Sequence, residues 1–277
     1  MKTQINTLRK LQELVLIREE HHKTGDGSQL EALNDQINEL KDSLTPQVAG
    51  IYDRLYKRSP IVISAMTDGN CAVCGMQVPI AQAQQVRLAQ HLVTCSSCGR
   101  ILFADDEDSV RNITEKPDRD DVRTGISRFS AECLMCPDMK ATTTQDAIAE
   151  LAKLMEDGHF ISSAEALTVA AMGREAILTT AMEGSKIAFP HVRGVEGGGL
   201  TFAVGVSRAG IDWDGTTTAN IIVLSAIPVA VSAFYLRLLS DLVHAFKKGD
   251  AFEALMSADS QSAMWKTLVK VTRAFVK

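Results

Sequence analysis

The sequence has few features of a secreted protein, a membrane-spanning protein or a nucleic-acid-binding protein. Its formal net charge is −5, so it lacks the excess of Lys and Arg from which affinity for nucleic acid is mainly built. The residues after Met1 form a charged amphipathic stretch, which does not resemble a secretory signal. The apolar run from Ile221 to Leu236 is broken by Pro228, which favours a buried strand followed by a helix over a membrane span. We therefore expect a cytoplasmic protein whose cysteines are reduced.

Aromatic residues are also scarce, but the composition is that of an ordinary globular protein. Aromatics make up 5% of the chain, whereas 45% of the residues are hydrophobic and 23% are charged. These values exclude a disordered or fibrous protein. A chain of 277 residues is longer than one typical hydrophobic core requires, so at least two folded units are expected.

Helical periodicity dominates the N-terminal part of the chain. Apolar residues recur at helical spacing from Ile5 to Ile17, and a second stripe from Leu30 to Leu44 has the a/d pattern of a coiled coil. The segment from Lys23 to Ser28 predicts a turn, so the two helices should form a hairpin. Thr45-Pro46 is typical of the start of a third helix. We expect these helices to pack only on one another, and the hairpin could also mediate self-association.

Six cysteines occur in three C-x-x-C pairs. Two of these pairs are each followed by glycine, and their members are Cys71, Cys74, Cys95 and Cys98. Their spacing would let four thiolates bind one tetrahedral ion, and Zn²⁺ suits such a set because it takes four sulfurs without redox change. We therefore expect a structural zinc site, with a redox pair or unrelated buried cysteines as the alternatives. Cys133 and Cys136 form the third pair, which we interpret as structural, with a redox or further metal role as the alternative.

The region around the first two cysteine pairs resembles a known family. Residues 45–103 are similar to bacterial C4-type zinc-ribbon proteins in which a helical hairpin precedes the ribbon. The motifs that carry the resemblance, besides the cysteine pairs, are Leu44-Thr45-Pro46, Tyr52-Asp53-Arg54-Leu55 and Gly99-Arg100-Ile101-Leu102-Phe103. The resemblance implies that the protein binds another protein or a nucleic acid, and we favour a protein as the partner.

A second group of motifs lies in residues 127–277. Arg174-Glu175-Ala176-Ile177 precedes a segment that runs from Gly184 and ends in Ala188-Phe189-Pro190-His191. A strand over Ala131 to Met135 and a helix over Thr144 to Glu156 are predicted before them. This order resembles the mannitol/fructose-type enzyme IIA of the bacterial phosphoenolpyruvate-dependent phosphotransferase system. The resemblance implies a phosphocarrier that receives a phosphoryl group from HPr or a paralogue and passes it to an unknown acceptor or regulated protein.

The resemblance also implies roles for individual residues. His191 would accept the phosphoryl group, which suits an imidazole that stays partly neutral at cytosolic pH. Arg174 would neutralise the group, because a guanidinium is always charged and binds oxygens in pairs. Pro190 would fix the backbone before the histidine. Ser185 and Tyr235 are expected as neighbours of the phosphate site, with Tyr235 in place of the family's second active-site histidine.

Two differences from the family leave a second function open. The segment between Arg174 and His191 is one residue longer than the family's, around Met182-Glu183, and Tyr235 cannot carry a positive charge. The alternative is a non-catalytic zinc-ribbon scaffold, or an adaptor for nucleic acid or protein, with a degenerate enzyme IIA domain.

The expected architecture is therefore multidomain. A helical coiled-coil hairpin and a small β zinc ribbon would precede an α/β enzyme IIA-like domain with a central mixed sheet flanked by helices. The predicted boundaries are 1–58 for the hairpin, 59–104 for the ribbon, 105–126 for an acidic linker and 127–277 for the enzyme IIA-like domain.

Overall fold

The chain folds into two compact units. The computed structural model describes residues 1–24, 30–67, 69–104, 124–195 and 199–276. One unit is Met1–Ser109 with Val229–Leu236, and the other is Val110–Pro228 with Arg237–Lys277. Part of the turn predicted between Lys23 and Ser28, and residues 105–123 of the predicted acidic linker, lie outside the described residues.

The first unit begins with the three predicted helices. They are α1 (Lys2–Thr24), α2 (Leu30–Asp42) and α3 (Pro46–Tyr56). Leu8 and Leu11 of α1 are fully buried, and Leu33 and Ile37 carry the buried stripe of α2. Pro46 is the first residue of α3. An N–H group at this position has no acceptor within the helix, so the lack of an N–H in proline costs no hydrogen bond.

The expectation that these helices pack only on one another is wrong. Gln12 on α1 binds the start of the first ribbon strand, β1 (Ile63–Thr67). Its Oε1 accepts from the backbone N–H groups of Val62 (2.6 Å) and Ile63 (2.8 Å), and its Nε2 donates to the Ile63 carbonyl at 3.0 Å. A side-chain amide carries both a donor and an acceptor, so one glutamine can satisfy both kinds of backbone group. The hairpin and the ribbon are therefore joined by hydrogen bonds that apolar periodicity does not reveal.

The ribbon is a small four-stranded sheet with one helix. Its further elements are β2 (Asn70–Cys71), α4 (Ile80–Leu88), β3 (Val93–Thr94) and β4 (Ile101–Ala104). The strand order is β2-β1-β4-β3, in which β1 and β4 are parallel and the outer pairs are antiparallel. Strands of two residues contribute few backbone bonds, so this sheet depends on what lies beside it.

The second unit is built on a mixed sheet. Its strands are β5 (Met135–Cys136), β6 (Ala181–Met182), β7 (Ile187–Ala188), β8 (His191–Arg193), β9 (Thr201–Asp212) and β10 (Thr218–Ile227). The order is β5-β9-β10-β7-β6, and β8 also pairs with β10. The two long strands, β9 and β10, are antiparallel, whereas β7 and β8 both run parallel to β10. The mixed sheet that the sequence predicts is thus confirmed.

Helices accompany this sheet, and several begin at polar caps. They are α5 (Thr144–Asp157), α6 (Ala164–Glu175), α8 (Ala251–Met256) and α9 (Gln261–Thr272). A further helix, α7 (Ser232–Lys247), begins in the segment that is grouped with the first unit and continues into the second. The side chains of Thr143, Ser163 and Ser260 accept hydrogen bonds from the first turns of α5, α6 and α9. Each cap satisfies a backbone donor that the helix itself cannot.

Two predicted segments differ in detail from the structure. Glu132–Leu134 forms a 3₁₀ turn in which the Leu134 N–H donates to the Ala131 carbonyl, so only the final residue of the strand predicted over Ala131 to Met135 joins the sheet. The run from Ile221 to Leu236 is a buried strand followed by a helix, as expected. Within the described residues, Val229–Lys247 is long and apolar enough to cross a membrane by length and composition alone, and 50% of its apolar window is buried.

Gly205 in β9 provides a test of the packing of the second unit. A Cβ atom at this position would lie 3.0 Å from Met139 Cγ and 3.1 Å from Leu151 Cδ2. We expect Gly205→Ala to lower the free energy of unfolding by about 1–3 kcal/mol, because the added methyl group overpacks the core. The matched control is Gly173→Ala in α6, where no atom lies within 4 Å; it should raise stability by about 0.5–1 kcal/mol. Urea denaturation of both variants measures the difference, and equal effects would contradict this packing.

Candidate histidine site and cysteine centre

The backbone of His191 is fixed by the pairing of β8 with the central strand β10. In the parallel pairing of β8 with β10, His191 lies opposite Ser225. The Ser225 N–H donates to the Pro190 carbonyl at 3.0 Å. Pro190 has no N–H to contribute to the sheet, but its carbonyl remains an acceptor and its ring fixes φ. The Pro-His pair therefore holds the histidine backbone rigidly beside the central strand.

A backbone hydrogen bond also sets the orientation of the His191 ring. Its Nδ1 lies 3.0 Å from the Phe189 carbonyl oxygen. A carbonyl oxygen can only accept, so Nδ1 carries the proton and, in the neutral ring, Nε2 carries the lone pair. The side chain is 2% exposed. In this tautomer Nε2 is the basic atom of the ring, and the surrounding protein covers it almost completely.

Arg174 is buried at the end of α6. It is 8% exposed, and its Nη1 donates to the Leu178 carbonyl at 2.7 Å. The guanidinium therefore helps to hold the loop that follows α6, near a helix end whose carbonyls favour a cation. The role of Arg174 in neutralising a phosphoryl group stays a prediction.

Ser185 is not brought to His191. It lies in the turn between β6 and β7, where its N–H and its hydroxyl both bond to the Met182 carbonyl. Ile187 pairs with Ile221 and His191 with Ser225, so four residues, or about 13 Å at strand spacing, separate Ile187 from the histidine. Glu183 belongs to the same turn, so the extra residue predicted near it falls at the end of the edge strand remote from His191.

Tyr235 is 1% exposed on α7. Its segment is grouped with the first unit, and its role as a neighbour of the phosphate site stays a prediction.

Glu175 organises the segment that leads to the histidine, a role that the sequence analysis missed. Its Oε2 accepts from the Thr180 N–H at 2.9 Å and from the Trp213 Nε1–H at 3.0 Å, and its Oε1 accepts from the Thr180 hydroxyl. The Thr180 carbonyl accepts in turn from the Phe189 N–H at 3.2 Å. One carboxylate thus supports the strand whose Phe189 carbonyl orients the imidazole.

Ser225 is a second residue that the sequence analysis did not assign to the site. Side chains of residues paired across neighbouring strands project from the same face, so its hydroxyl lies on the face that carries the imidazole of His191. The hydroxyl is buried and makes no hydrogen bond among the described residues. The sequence feature that could have indicated this position is a single serine within a run of aliphatic residues.

The structure brings four cysteines together. The Sγ atoms of Cys71, Cys74, Cys95 and Cys98 all lie within 4.8 Å of one another. Cys71 and Cys98 are separated by 3.8 Å, and Cys74 and Cys95 by 3.7 Å. A tetrahedron with Zn–S bonds of about 2.3 Å has sulfur–sulfur edges of about 3.8 Å. The four thiols therefore fit a tetrahedral ion of the size of zinc.

Two equivalent turns present these thiols. The Gly75 N–H donates to the Cys71 carbonyl and the Gly99 N–H to the Cys95 carbonyl, each at 2.8 Å. The two glycines have φ values of 72° and 74°, a left-handed conformation that residues with a Cβ rarely adopt. The glycine after each C-x-x-C is therefore required by the shape of the turn.

The pKa values of two of these thiols are shifted in opposite directions by their surroundings. Burial raises the pKa of Cys71, although the Ser64 hydroxyl lies 3.3 Å from its sulfur and opposes this effect. Burial also acts to raise the pKa of Cys98, but hydrogen bonds from Arg100 and the neighbouring cysteines outweigh it and lower that pKa to about 7. A thiolate at neutral pH is the form that binds a metal.

The third C-x-x-C has none of these features. Cys133 is exposed, and Cys136 is half-buried with its Sγ donating to Glu150 at 3.4 Å. Burial and the Glu150 carboxylate raise the pKa of Cys136 to about 12, so its thiolate is scarcely populated. Among the described residues, the cysteine group that could hold a metal does not include this pair. These features agree with a structural interpretation.

The fold and the two sites define a class of protein: a mixed α/β domain with a buried Pro-His pair on an edge strand, joined to a four-cysteine ribbon. Residues 128–271 match the family described as the phosphoenolpyruvate-dependent sugar phosphotransferase system, EIIA 2, and residues 70–102 match the C4-type zinc ribbon domain. The chain belongs to the EIIA 2 family, as its sequence motifs predict. This membership supports a phosphocarrier role in general.

Similar solved structures include two EIIA proteins. The nitrogen regulatory protein IIA-Ntr from Neisseria meningitidis is 20% identical, with 51% of this chain and 97% of that chain covered and a TM-score of 0.45. IIA mannitol from Escherichia coli is 18% identical, with 50% and 97% covered and a TM-score of 0.42. CT398 from Chlamydia trachomatis is 28% identical over 27% of this chain and 32% of that chain, with a TM-score of 0.26. A search of curated proteins found no match.

The hydrogen bonds of Glu175 generate a stability prediction. Truncation in Glu175→Ala leaves the buried indole N–H of Trp213 and the N–H of Thr180 without their acceptor, so we expect a loss of about 2–4 kcal/mol in the free energy of unfolding. Glu183→Ala, at an exposed position in the β6–β7 turn, is the control and should change stability by less than about 0.5 kcal/mol. Chemical denaturation tests both variants. A Glu175→Ala protein as stable as the control would show that this carboxylate does not support the strand.

Proposed function

We propose that the protein is a cytoplasmic phosphocarrier of a phosphoenolpyruvate-dependent phosphotransferase system. His191 takes a phosphoryl group from HPr or a paralogue of it and passes the group to a downstream acceptor. The observation that carries the proposal is the hydrogen bond between His191 Nδ1 and the Phe189 carbonyl, because it leaves the lone pair on Nε2. Family membership supports the same chemistry.

The transfer conserves atoms and charge without a further cofactor. The Nε2 lone pair forms the new N–P bond as the bond from phosphorus to the donor breaks, and the donor imidazole leaves with its electron pair. Because the migrating group resembles metaphosphate, positioning and charge neutralisation contribute most of the rate enhancement. Arg174 is our candidate for the neutralising charge. Its present bond to the Leu178 carbonyl uses Nη1, and the other guanidinium nitrogens carry further donors.

A specific observation favours a second candidate function. His191 is 2% exposed and Arg174 is engaged with the loop after α6, as in a domain that no longer transfers phosphate. In that case the protein is a zinc-ribbon scaffold or adaptor with a degenerate EIIA domain. A salt-dependent shift of nucleic acid in a gel would support the nucleic-acid version, whereas no binding at low salt would eliminate it.

We expect wild-type protein to gain the mass of one phosphoryl group when it is incubated with phosphoenolpyruvate, enzyme I and HPr. Intact mass spectrometry under alkaline conditions, which preserve phosphohistidine, measures the gain. His191→Ala should gain none. His244→Ala removes an exposed histidine of α7 and should behave as wild type. NMR of the phosphorylated ring should place phosphorus on Nε2. Absence of phosphate on wild type, with donors shown to be active, would favour the scaffold function.

We also propose that the four cysteines of the ribbon bind structural Zn²⁺. The ion would leave no open coordination position, so it would stabilise the fold and have no catalytic role. The two-residue strands of the ribbon sheet make such a site important, because binding energy of about 10–16 kcal/mol for structural zinc far exceeds what these strands contribute. Self-association through the hairpin is an additional possibility that light scattering of the zinc-loaded protein can test.

Metal analysis should find about one zinc per chain in protein purified without chelator. Cys98→Ser should lower this content to well below one, because the loss of one thiolate opens the site. Cys133→Ser, which changes a cysteine outside the cluster, is the matched control and should retain full zinc. Equal zinc contents in the two variants would contradict the assignment of the ligands.

A further inference from the structure

The first unit contains a groove that neither proposed site uses. It has a volume of about 640 Å³ and lies between the N-terminal half of α1, the end of α4 and the end of β4. Ile5 and Val86 are buried and line it, together with the half-buried side chain of Phe103.

Basic side chains line the same groove. Lys2, Arg9, Lys10 and Arg87 contribute four positive charges, against one negative charge from Glu13. Across the described part of the chain, none of these four cations forms an ion pair with a carboxylate. In a protein whose net charge is −5, this local excess of positive charge around an apolar floor complements a ligand that is anionic and also carries an apolar group.

Arg9 is positioned in advance of binding. The carbon of its guanidinium group lies 4.6 Å from the centroid of the Phe103 ring. Cation–π contact restricts a long side chain, so less conformational entropy is lost when the guanidinium then binds a carboxylate. The planar fork of Arg matches the two oxygens of a carboxylate.

We propose that this groove, lined by Lys2, Arg9, Lys10 and Arg87, binds an acidic peptide segment of another protein, with an apolar side chain of that segment on Ile5, Val86 and Phe103. Two features favour a peptide over single-stranded nucleic acid. The face of Phe103 is occupied by Arg9, so it does not offer the open aromatic platform on which bases stack. The buried part of the floor, formed by Ile5 and Val86, is aliphatic, as in grooves that accept Leu or Phe anchors. The proposal does not depend on phosphorylation of His191.

The test uses fluorescence anisotropy on the full-length protein. The probe is a fluorescein-labelled peptide of about twelve Asp, Glu and Leu residues, long enough to span a groove of this size. We expect saturable binding that weakens as salt is added. Lys10→Glu combined with Arg87→Glu should weaken it at least about tenfold, because both charges reverse at the rim. Lys57→Glu with Arg58→Glu, two exposed cations after α3, is the matched control and should change affinity less than about twofold.

Three results would overturn the proposal. The first is equal binding by the groove variant and the control variant, with circular dichroism showing that both are folded. The second is retention of full affinity when every Leu of the probe is replaced by Ser, which would indicate charge attraction without a groove. The third is tighter binding of oligouridylate of the same charge, lost in the groove variant, which would make nucleic acid the ligand.

A final variant tests whether the acidic segment that binds the groove belongs to a partner protein or to this chain itself. The acidic sequence Asp105-Asp106-Glu107-Asp108 directly follows Ala104, which lines the groove. Changing these residues to Asn and Gln should leave probe affinity unchanged if the natural ligand belongs to a partner. An increase of about tenfold or more would show that the chain's own segment competes for the groove, and would overturn the assignment to a partner.

Discussion

The register between β8 and β10 is the constraint on which the histidine site depends. It places His191 opposite Ser225, and the bond from the Ser225 N–H to the Pro190 carbonyl locks that pairing. A shift of one residue would turn the imidazole to the other face of the sheet. Because β10 is buried along nearly its whole length and pairs with β9 on its other side, it gives β8 a fixed strand to pair with. The position of the His191 imidazole is therefore secured by the core of the unit.

The ribbon differs from the second unit because its hydrophobic core is too small to fix the positions of its side chains by packing alone. Its strands are between two and five residues long, and its buried cluster includes two of the cysteines themselves, Cys71 and Cys95. Bound metal would act as the centre of that core. The bonds from Gln12 to Val62 and Ile63 then attach the ribbon to α1, which is one of the elements that line the groove.

Apolar periodicity and cysteine spacing were sufficient to predict the N-terminal helices, the ribbon and the clustering of the four thiols, and the resemblance to enzyme IIA implied the mixed sheet. The features that were missed are those made by single polar side chains reaching the backbone. Gln12 resembles any other polar residue of an amphipathic helix, and Glu175 was noticed only as half of a family motif. Their partners are up to 51 residues away for Gln12, and 38 residues away where Glu175 meets Trp213. Such pairs leave no periodic signal, because one contact at long range does not repeat along the chain.

Burial of His191 has a consequence for how a phosphoryl group could act as a signal. A phosphoryl group carries about two negative charges near neutral pH, and burying them without donors is far more costly than the marginal stability of a domain can offset. Phosphorylated His191 would therefore require donors to approach or the covering side chains to open, so the two forms of the unit could not have the same surface. A histidine on an exposed loop would gain charge with little structural effect. A buried one couples the gain of charge to a change in packing, which is the property that a regulatory phosphocarrier needs and a simple relay does not.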